Sequence, residues 1–289
     1  MPISMGFPSD QKDTLMTAIP PLSLLDGRSI PQLGFGLWQV PEDTTGQTVA
    51  QALQLGYRLL DGAAIYGNEV GQGEGVRASG LPRDDVFVTT KVWNDNQGFD
   101  STLRAIDASL DRLGLDTVDL CLIHWPCPNK GLYVETWKAF IRAKEEGRLR
   151  SIGVSNFAPD HLQRIIDETG VTPVLNQIEL HPRFQQAELR AFHGEHNIIT
   201  QSWTPLGKSK SFDDPVIVAI SERLGKSPAQ IVLRWHVQLG CSVIPRSTNP
   251  ERMAQNMALF DFELSADDMT AIAGLDAGDR LGPDPATFE

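Results

Sequence analysis

From about residue 33 to about residue 275, short apolar runs alternate with longer stretches in which apolar positions recur at helical spacing. Apolar runs separated by amphipathic segments mark repeated β-α units. The strand candidates are Leu33 to Leu37, Tyr57 to Leu60, Val86 to Thr90, Val118 to Ile123, Ser151 to Val154, Val174 to Ile178, Ile198 to Gln201 and Ser242 to Ile244. Helical patterns fall near residues 43–55, 69–79, 100–113, 133–146, 159–169, 186–196, 214–224 and 228–239. Pro159 and Pro228 suit a first helical turn, where a missing N–H costs nothing, and Ser227 suits a cap. Eight of each in strict alternation, without linker or repeat, predict an α/β fold of the closed (β/α)8 TIM-barrel type rather than an open doubly wound sheet.

Two pieces stand outside that alternation. Residues 22–32 place Asp26-Gly27 between apolar runs, a hairpin signal, and this N-terminal β-hairpin is expected to floor the barrel. Residues 265–275 begin with a Ser cap and an acidic first turn and predict an extra C-terminal helix. The tail from Asp276 to Glu289, rich in Gly, Pro and Asp, is expected to be extended and to lie over the surface.

Length and composition narrow the class. One barrel accounts for about 250 residues, so a single domain over residues 21–289 is expected, preceded by a loose extension at residues 1–20. That extension has neither a basic start nor a continuous apolar stretch and fails as a signal peptide. No apolar run approaches the roughly 20 residues of a membrane helix. The net charge of -12 argues against a nucleic-acid-binding surface, which needs clustered cations. Cys121, Cys127 and Cys241 show no metal-ligand spacing and fit a reducing compartment as buried thiols. The expectation is therefore a cytoplasmic protein, monomeric, with a small-molecule substrate and no nucleic-acid or membrane partner.

The candidate chemistry lies at the strand ends. Asp61, Tyr66, Lys91 and His124 sit at or just past the C-terminal ends of three successive strand candidates, and in a parallel barrel those ends converge on one mouth. A carboxylate, a phenol, an ammonium and an imidazole meeting there read as acid-base machinery. Each alone is more often structural, and a lone Asp-Lys pair is usually a salt bridge.

The segment GYRLLDGAAIYGNEVG, residues 56–71, resembles the first signature of the aldo-keto reductase family. TTKVW (89–93), VDLCLIHWP (118–126), GRLRSIGVSNF (147–157), LNQIELHP (175–182), QSWTPLG (201–207) and IPRSTNPERMAQN (244–256) follow in the family's order. The resemblance spans residues 22 to about 275 and implies carbonyl reduction by Asp61, Tyr66, Lys91 and His124. Tyr66 would protonate the nascent alkoxide, and Lys91 would stabilise its phenolate and lower its pKa. Asp61 would hold Lys91 charged, and His124 would orient the carbonyl.

A side chain donates no hydride, so a nicotinamide cofactor is implied. GQGEGV, residues 71–76, is not a G-x-G-x-x-G motif and follows no strand, so it reads as a helix start with small packing residues rather than a Rossmann turn. By resemblance, Ser155, Asn156 and Gln177 would bind the carboxamide and Trp203 would stack on its ring. Trp at that position is similar to the bacterial 2,5-diketo-D-gluconate reductases. Gly36 and Leu37 would lie near the ribose, and Thr204, Leu206 and Lys208 near the pyrophosphate. Arg246, Ser247, Thr248 and Arg252 suit the 2'-phosphate of NADPH, because Arg binds phosphate through bidentate, charge-assisted bonds. Gln255 and Asn256 would contact adenine. The family usually has Lys where Arg246 stands, which leaves NADH open as a weaker alternative, and Gly62 replaces a usual Thr or Ser.

Trp38, Trp93 and Trp125 are expected to line the substrate mouth, and keto-sugar acids or α-dicarbonyls are plausible substrates. His193 and His196 with Glu195 lack a third convergent ligand, so no metal is expected and a solvated helix face is the reading there. Two other classes stay open: a non-catalytic NADPH-binding sensor or regulatory subunit on the same fold, and a barrel isomerase or glycosidase. The complete tetrad argues against the first. The lack of a matched carboxylate pair argues against the second.

Overall fold

A computed structural model describes residues 19–289, so most of the expected N-terminal extension lies outside the described residues. Strands β1 (Pro21–Ser23) and β2 (Ser29–Pro31) pair antiparallel with Leu22 opposite Ile30. The turn between them carries Gly27 at φ +84, a conformation that favours glycine. Leu24 and Ile30 pack on Leu59, Leu120 and Leu175, and the Asp26 carboxylate accepts from Lys144 Nζ at 2.9 Å and Ser151 Oγ at 2.8 Å. The hairpin thus covers the N-terminal end of the barrel, as its sequence predicts.

The remaining chain runs β3 (Phe35–Gly36), α1 (Glu42–Gln54), β4 (Leu59–Asp61), α2 (Glu69–Ala78), β5 (Phe87–Val92), α3 (Phe99–Leu113), β6 (Val118–Ile123), α4 (Tyr133–Glu145), β7 (Leu149–Ser155), α5 (Pro159–Thr169), β8 (Leu175–Glu179), α6 (Ala187–Glu195), β9 (Ile199–Trp203), α7 (Pro215–Leu224), α8 (Pro228–Gln238), β10 (Ser242–Val243), α9 (Pro250–Met257) and α10 (Ala266–Ala273). Neighbouring strands from β3 to β10 are all parallel. Gly34 N donates to Val243 O at 2.8 Å, Val243 N to Gln32 O at 2.8 Å and Gly36 N to Pro245 O at 3.1 Å. Those bonds join the first strand to the last, so the eight-stranded sheet closes on itself and leaves no edge.

Strict alternation is not what the chain does. Both α7 and α8 fall between β9 and β10, and the eighth β-α unit is completed by α9, a segment the sequence reading left without a helix. Only Met253 and Asn256 of α9 are buried, so its periodicity is faint; its signals are the Asn249 cap, which accepts from Arg252 N, and Pro250 at the first position. Several strands also run further than their apolar stretches, β4 to Asp61, β5 to Val92, β8 to Glu179 and β9 to Trp203. The added residues include Asp61, Lys91 and Glu179, charged side chains that carry the strands into the barrel mouth where an apolar pattern gives no signal.

Period-two alternation explains the layering. Along one face, Leu59 leads to Asp61, Leu120 and Leu122 lead to His124, and Leu175 leads to Gln177. Leu59, Leu120, Leu122 and Leu175 form an apolar layer with the hairpin, while Asp61, Lys91, Gln177 and Gln201 bond to one another above it. Outside the sheet, the large side chains of Trp137, Trp235, Tyr57 and Phe140 are fully buried between strands and helices. In α2 the GQGEG glycines lie against α1 and the end of α3, the close packing their small size suggested.

Candidate active site

The C-terminal strand ends bring the four proposed catalytic residues together. Asp61 ends β4, Lys91 lies one residue before the end of β5, and His124 directly follows β6. Tyr66 ends a single 3-10 turn, Ala64–Tyr66, that follows β4. Lys91 is fully buried, and its Nζ donates to Asp61 Oδ2 at 2.7 Å, to the Gly62 carbonyl at 2.9 Å and to Tyr66 Oη at 3.2 Å. An ammonium has three N–H groups and no lone pair, so all three donors are spent and Tyr66 Oη must accept. The phenolic proton is therefore left to point elsewhere. Asp61 Oδ1 in turn accepts from Gln177 Nε2 at 2.7 Å, which fixes the carboxylate from the far side of the barrel.

Electrostatics sharpen these roles and correct one of them. Burial raises the Tyr66 pKa above the usual phenol value; Lys91 opposes the shift and Asp61 adds to it, so the net direction is upward, not the lowering expected from Lys91 alone. Burial acts to lower the Lys91 pKa, but Asp61 and Tyr66 outweigh it and the ammonium is held above its ordinary value. Burial, followed by the Lys91 charge, pushes His124 well below the usual imidazole range, so the ring is neutral near pH 7. His124 Nδ1 is buried without a hydrogen-bond partner. A bare acceptor there costs less than a bare N–H, and that places the ring proton on Nε2.

Gly62 leaves room that another residue uses. A Cβ at position 62 would meet Gln72 Oε1 at 2.0 Å, and Gln72 Nε2 donates to the Thr89 carbonyl at 3.3 Å. The absent Thr or Ser side chain is thus replaced in space by an amide from α2.

A cavity of about 510 Å³ opens beside this cluster, within the size range of small-molecule sites. Trp38, Trp93 and Trp125 line it, as do Ser155, Asn156, Gln177 and Trp203. Gly36, Thr204, Leu206, Lys208 and Arg246 belong to the same lining. Gln39, Asn156, Thr204 and Lys208, all lining residues, have φ between 50 and 63, a strained conformation for side chains other than Gly. Such strain concentrates at ligand sites.

The cavity has the groups an amide-bearing ring needs. Trp203 Nε1 donates to Asn156 Oδ1 at 2.8 Å, which fixes the indole plane. Asn156 Nδ2 donates to the His124 carbonyl at 3.0 Å and to Ser155 Oγ at 3.1 Å. Gln177 spends Nε2 on Asp61 and on Gln201 Oε1, which leaves its own Oε1 as a spare acceptor for a carboxamide N–H. Lys208 and Arg246, which line the cavity, and Arg252, on α9 outside its lining, are exposed, and among the described residues none lies within 4.0 Å of a carboxylate. Unpaired cations on one rim of an acidic protein fit an anionic cofactor. The residues present therefore fit a nicotinamide dinucleotide.

Not every proposed residue lines that cavity. Leu37 is fully buried, and its contribution is a backbone N–H given to the Asp61 carbonyl at 3.0 Å. Ser247, Thr248, Arg252, Gln255 and Asn256 lie on the rim loop and α9, outside the cavity lining. Two further expectations are corrected. His193 is buried, bonded to Asn176 Nδ2 at 3.0 Å and Thr200 Oγ1 at 2.8 Å, and not on a solvated helix face, because α6 turns it onto β8 and β9. The tail does not simply lie over the surface: Leu281, Gly282, Pro283 and Phe288 line the cavity. An aromatic residue in the polar stretch GPDPATFE was the signal for that. Among the described residues, no group of three or more His, Cys, Asp or Glu side chains converges as metal ligands, and no helix is long and apolar enough to cross a membrane.

A closed (β/α)8 barrel with a buried Asp-Lys-Tyr cluster and a neutral His at its C-terminal mouth defines an oxidoreductase-type site. The chain belongs to the aldo/keto reductase family, whose model matches residues 32–277. It is 55% identical over 269 residues to an aldo-keto reductase of Mycolicibacterium smegmatis, covering 93% of this chain and 98% of that one. It is 49% identical over 275 residues to the methylglyoxal reductase DkgA of Yersinia pestis, covering 94% and 99% respectively. A crystal structure of a Gox0644 mutant in complex with NADPH matches with a TM-score of 0.91 and 51% identity, covering 94% of this chain and all 100% of the other.

Proposed function

We propose that this protein reduces aldehyde and ketone carbonyls to alcohols with NADPH, using Tyr66 as the proton donor. The observation that carries this reading is the exhausted donor set of Lys91, which obliges Tyr66 Oη to accept and frees its proton for the cavity. When bound, NADPH supplies the hydride that reduces the carbonyl carbon. Tyr66 gives its proton to the carbonyl oxygen, and the phenolate left behind faces the Lys91 ammonium. Asp61 keeps that ammonium charged and aimed. Neutral His124 donates from Nε2 to the same carbonyl oxygen and holds it beside Tyr66.

Ser155, Asn156 and Gln177 are assigned to the carboxamide, and Trp203 to the ring face. Lys208 is assigned to the pyrophosphate, and Arg246 with Arg252 to the 2'-phosphate, which favours NADPH over NADH. The NADPH bound to the Gox0644 mutant and the name of the Yersinia pestis relative support this reading.

The test is NADPH consumption with simple aldehydes by the wild type and by Tyr66→Phe. The variant should bind NADPH unchanged and turn over about 10²-fold more slowly, the scale of general acid catalysis. An undiminished rate would remove Tyr66 from the mechanism, and tight NADPH binding by the wild type without turnover of any carbonyl would favour a sensor.

A further inference from the structure

The register of the barrel sets three polar side chains in one row. Gln177 on β8 stands opposite Gln201 on β9, and Gln201 stands opposite Ser242 on β10. Gln201 and Ser242 are fully buried and Gln177 nearly so. An unpaired amide or hydroxyl is costly at that depth, so each must find partners close by. Gln177 Nε2 donates to Gln201 Oε1 at 2.6 Å, Gln201 Nε2 donates to Ser242 Oγ at 3.0 Å, and Ser242 Oγ donates to the Pro31 carbonyl at 3.3 Å. At its other end the row meets the catalytic cluster, where Gln177 Nε2 donates to Asp61 Oδ1 at 2.7 Å.

The two ends dictate the polarity of the row, because neither the Asp61 carboxylate nor the Pro31 carbonyl can donate. Ser242 gives its one proton to Pro31 and must accept from Gln201, which turns Gln201 Oε1 toward Gln177. Gln177 must then present N–H to both of its neighbours, and its two amide hydrogens are spent. A reversed Gln177 would set its oxygen against two others. Gln177 lines the cavity with Ser155, Asn156 and Trp203, and its Oε1 accepts from no donor among the described residues. Asp61 alone would not secure this state. It engages one amide hydrogen, and the second would be free to make Gln177 a donor toward the cavity.

We propose that Gln201, secured by Ser242, is a positioning residue that holds Gln177 as a pure hydrogen-bond acceptor and so selects cofactors whose nicotinamide ring carries an amide N–H. This rests on the nicotinamide assignment of the reductase reading and adds to it the side chain that fixes the direction of the Gln177 amide.

Tryptophan-fluorescence titration of the full chain compares NADP+ with 3-acetylpyridine adenine dinucleotide phosphate, in which a methyl group takes the place of the amide NH2. The wild type should bind NADP+ about 10-fold more tightly, since the analogue leaves Gln177 Oε1 unpaired. Gln201→Met, similar in size but without the amide, should shrink that preference to about 3-fold or less. Gln201→Glu, whose carboxyl keeps an accepting oxygen whether or not it is protonated, should preserve it. Ser242→Ala, which takes away the acceptor for Gln201 Nε2, should reduce the preference in the same direction. A merely structural Gln201 would lower both affinities together, and an unchanged ratio in Gln201→Met would overturn the proposal. Equal loss of the preference in Gln201→Met and Gln201→Glu, or no preference in the wild type, would overturn it too. Should Gln201→Met fail to fold, an unchanged ratio in Ser242→Ala would do the same. Failure of the wild type to bind NADP+ at all would count against the reductase reading itself.

Discussion

Lys91 shows how one side chain can set the state of three others. Its charge is kept by Asp61, its third N–H fixes the direction of the Tyr66 hydroxyl, and its field helps hold His124 neutral. The signs of the shifts predict the pH profile of reduction. Tyr66 must be protonated to donate, and its raised pKa keeps it so beyond the usual value of about 10. His124 must be neutral to donate from Nε2, and its lowered pKa removes the acid limb that an ordinary imidazole would show near pH 6.5. kcat/KM should therefore be flat from about pH 6 to about pH 9, measured with an uncharged aldehyde; an inflection near 6.5 would contradict the state assigned to His124. These residues were legible because each follows an apolar run within a motif. Gln72 was not, since what makes it matter is the space vacated by Gly62, a fact of packing between α2 and β4 that no local pattern records.

At the scale of elements, strands and long amphipathic helices were readable within a few residues, whereas α9 was hidden by its polar, mostly exposed sequence. That helix carries Arg252, which is assigned above to the 2'-phosphate. Arg252 sits in its first turn, Arg246 precedes it on the loop after β10, and both are free of carboxylates among the described residues. Arg246 Nη1 reaches only the Gln39 carbonyl, at 3.4 Å. Replacing both arginines with Ala should weaken NADPH about 10²-fold while changing NADH by less than about 3-fold, because charge-assisted phosphate bonds are worth about 1.5–3 kcal/mol each. Tryptophan-fluorescence titration with each nucleotide measures this. Equal losses for both would place the 2'-phosphate elsewhere. The tail escaped prediction for the opposite reason: it has no regular periodicity, and its position is set by a carboxylate on β8 more than ninety residues earlier.

For the whole molecule, closing the barrel buries polar groups together with apolar ones, and that ties its stability to pH. His193 bridges α6 to β8 and β9, and His236 links α8 to Ser202 and the Pro205 carbonyl, both at 3.0 Å. Burial pushes both down to about 3, and it lowers His124 and His161 as well. The folded state thus refuses protons that the unfolded chain accepts from about pH 6.5 downward. Stability from this source is complete above about pH 6.5 and is lost as pH falls from there toward 3. Each histidine held neutral in this way costs about 1 kcal/mol per pH unit in that window, against the about 5–15 kcal/mol that domains have in total. The lowered carboxylates Asp26, Glu179 and Asp268 act only below about pH 4.5, the ordinary carboxylate range. Between about pH 6 and about pH 5 the histidines therefore account for most of the slope. Thermal unfolding across that interval should show a falling midpoint in the wild type and a shallower fall in His236→Gln, whose amide cannot take the proton; parallel slopes would mean that the acid sensitivity arises elsewhere.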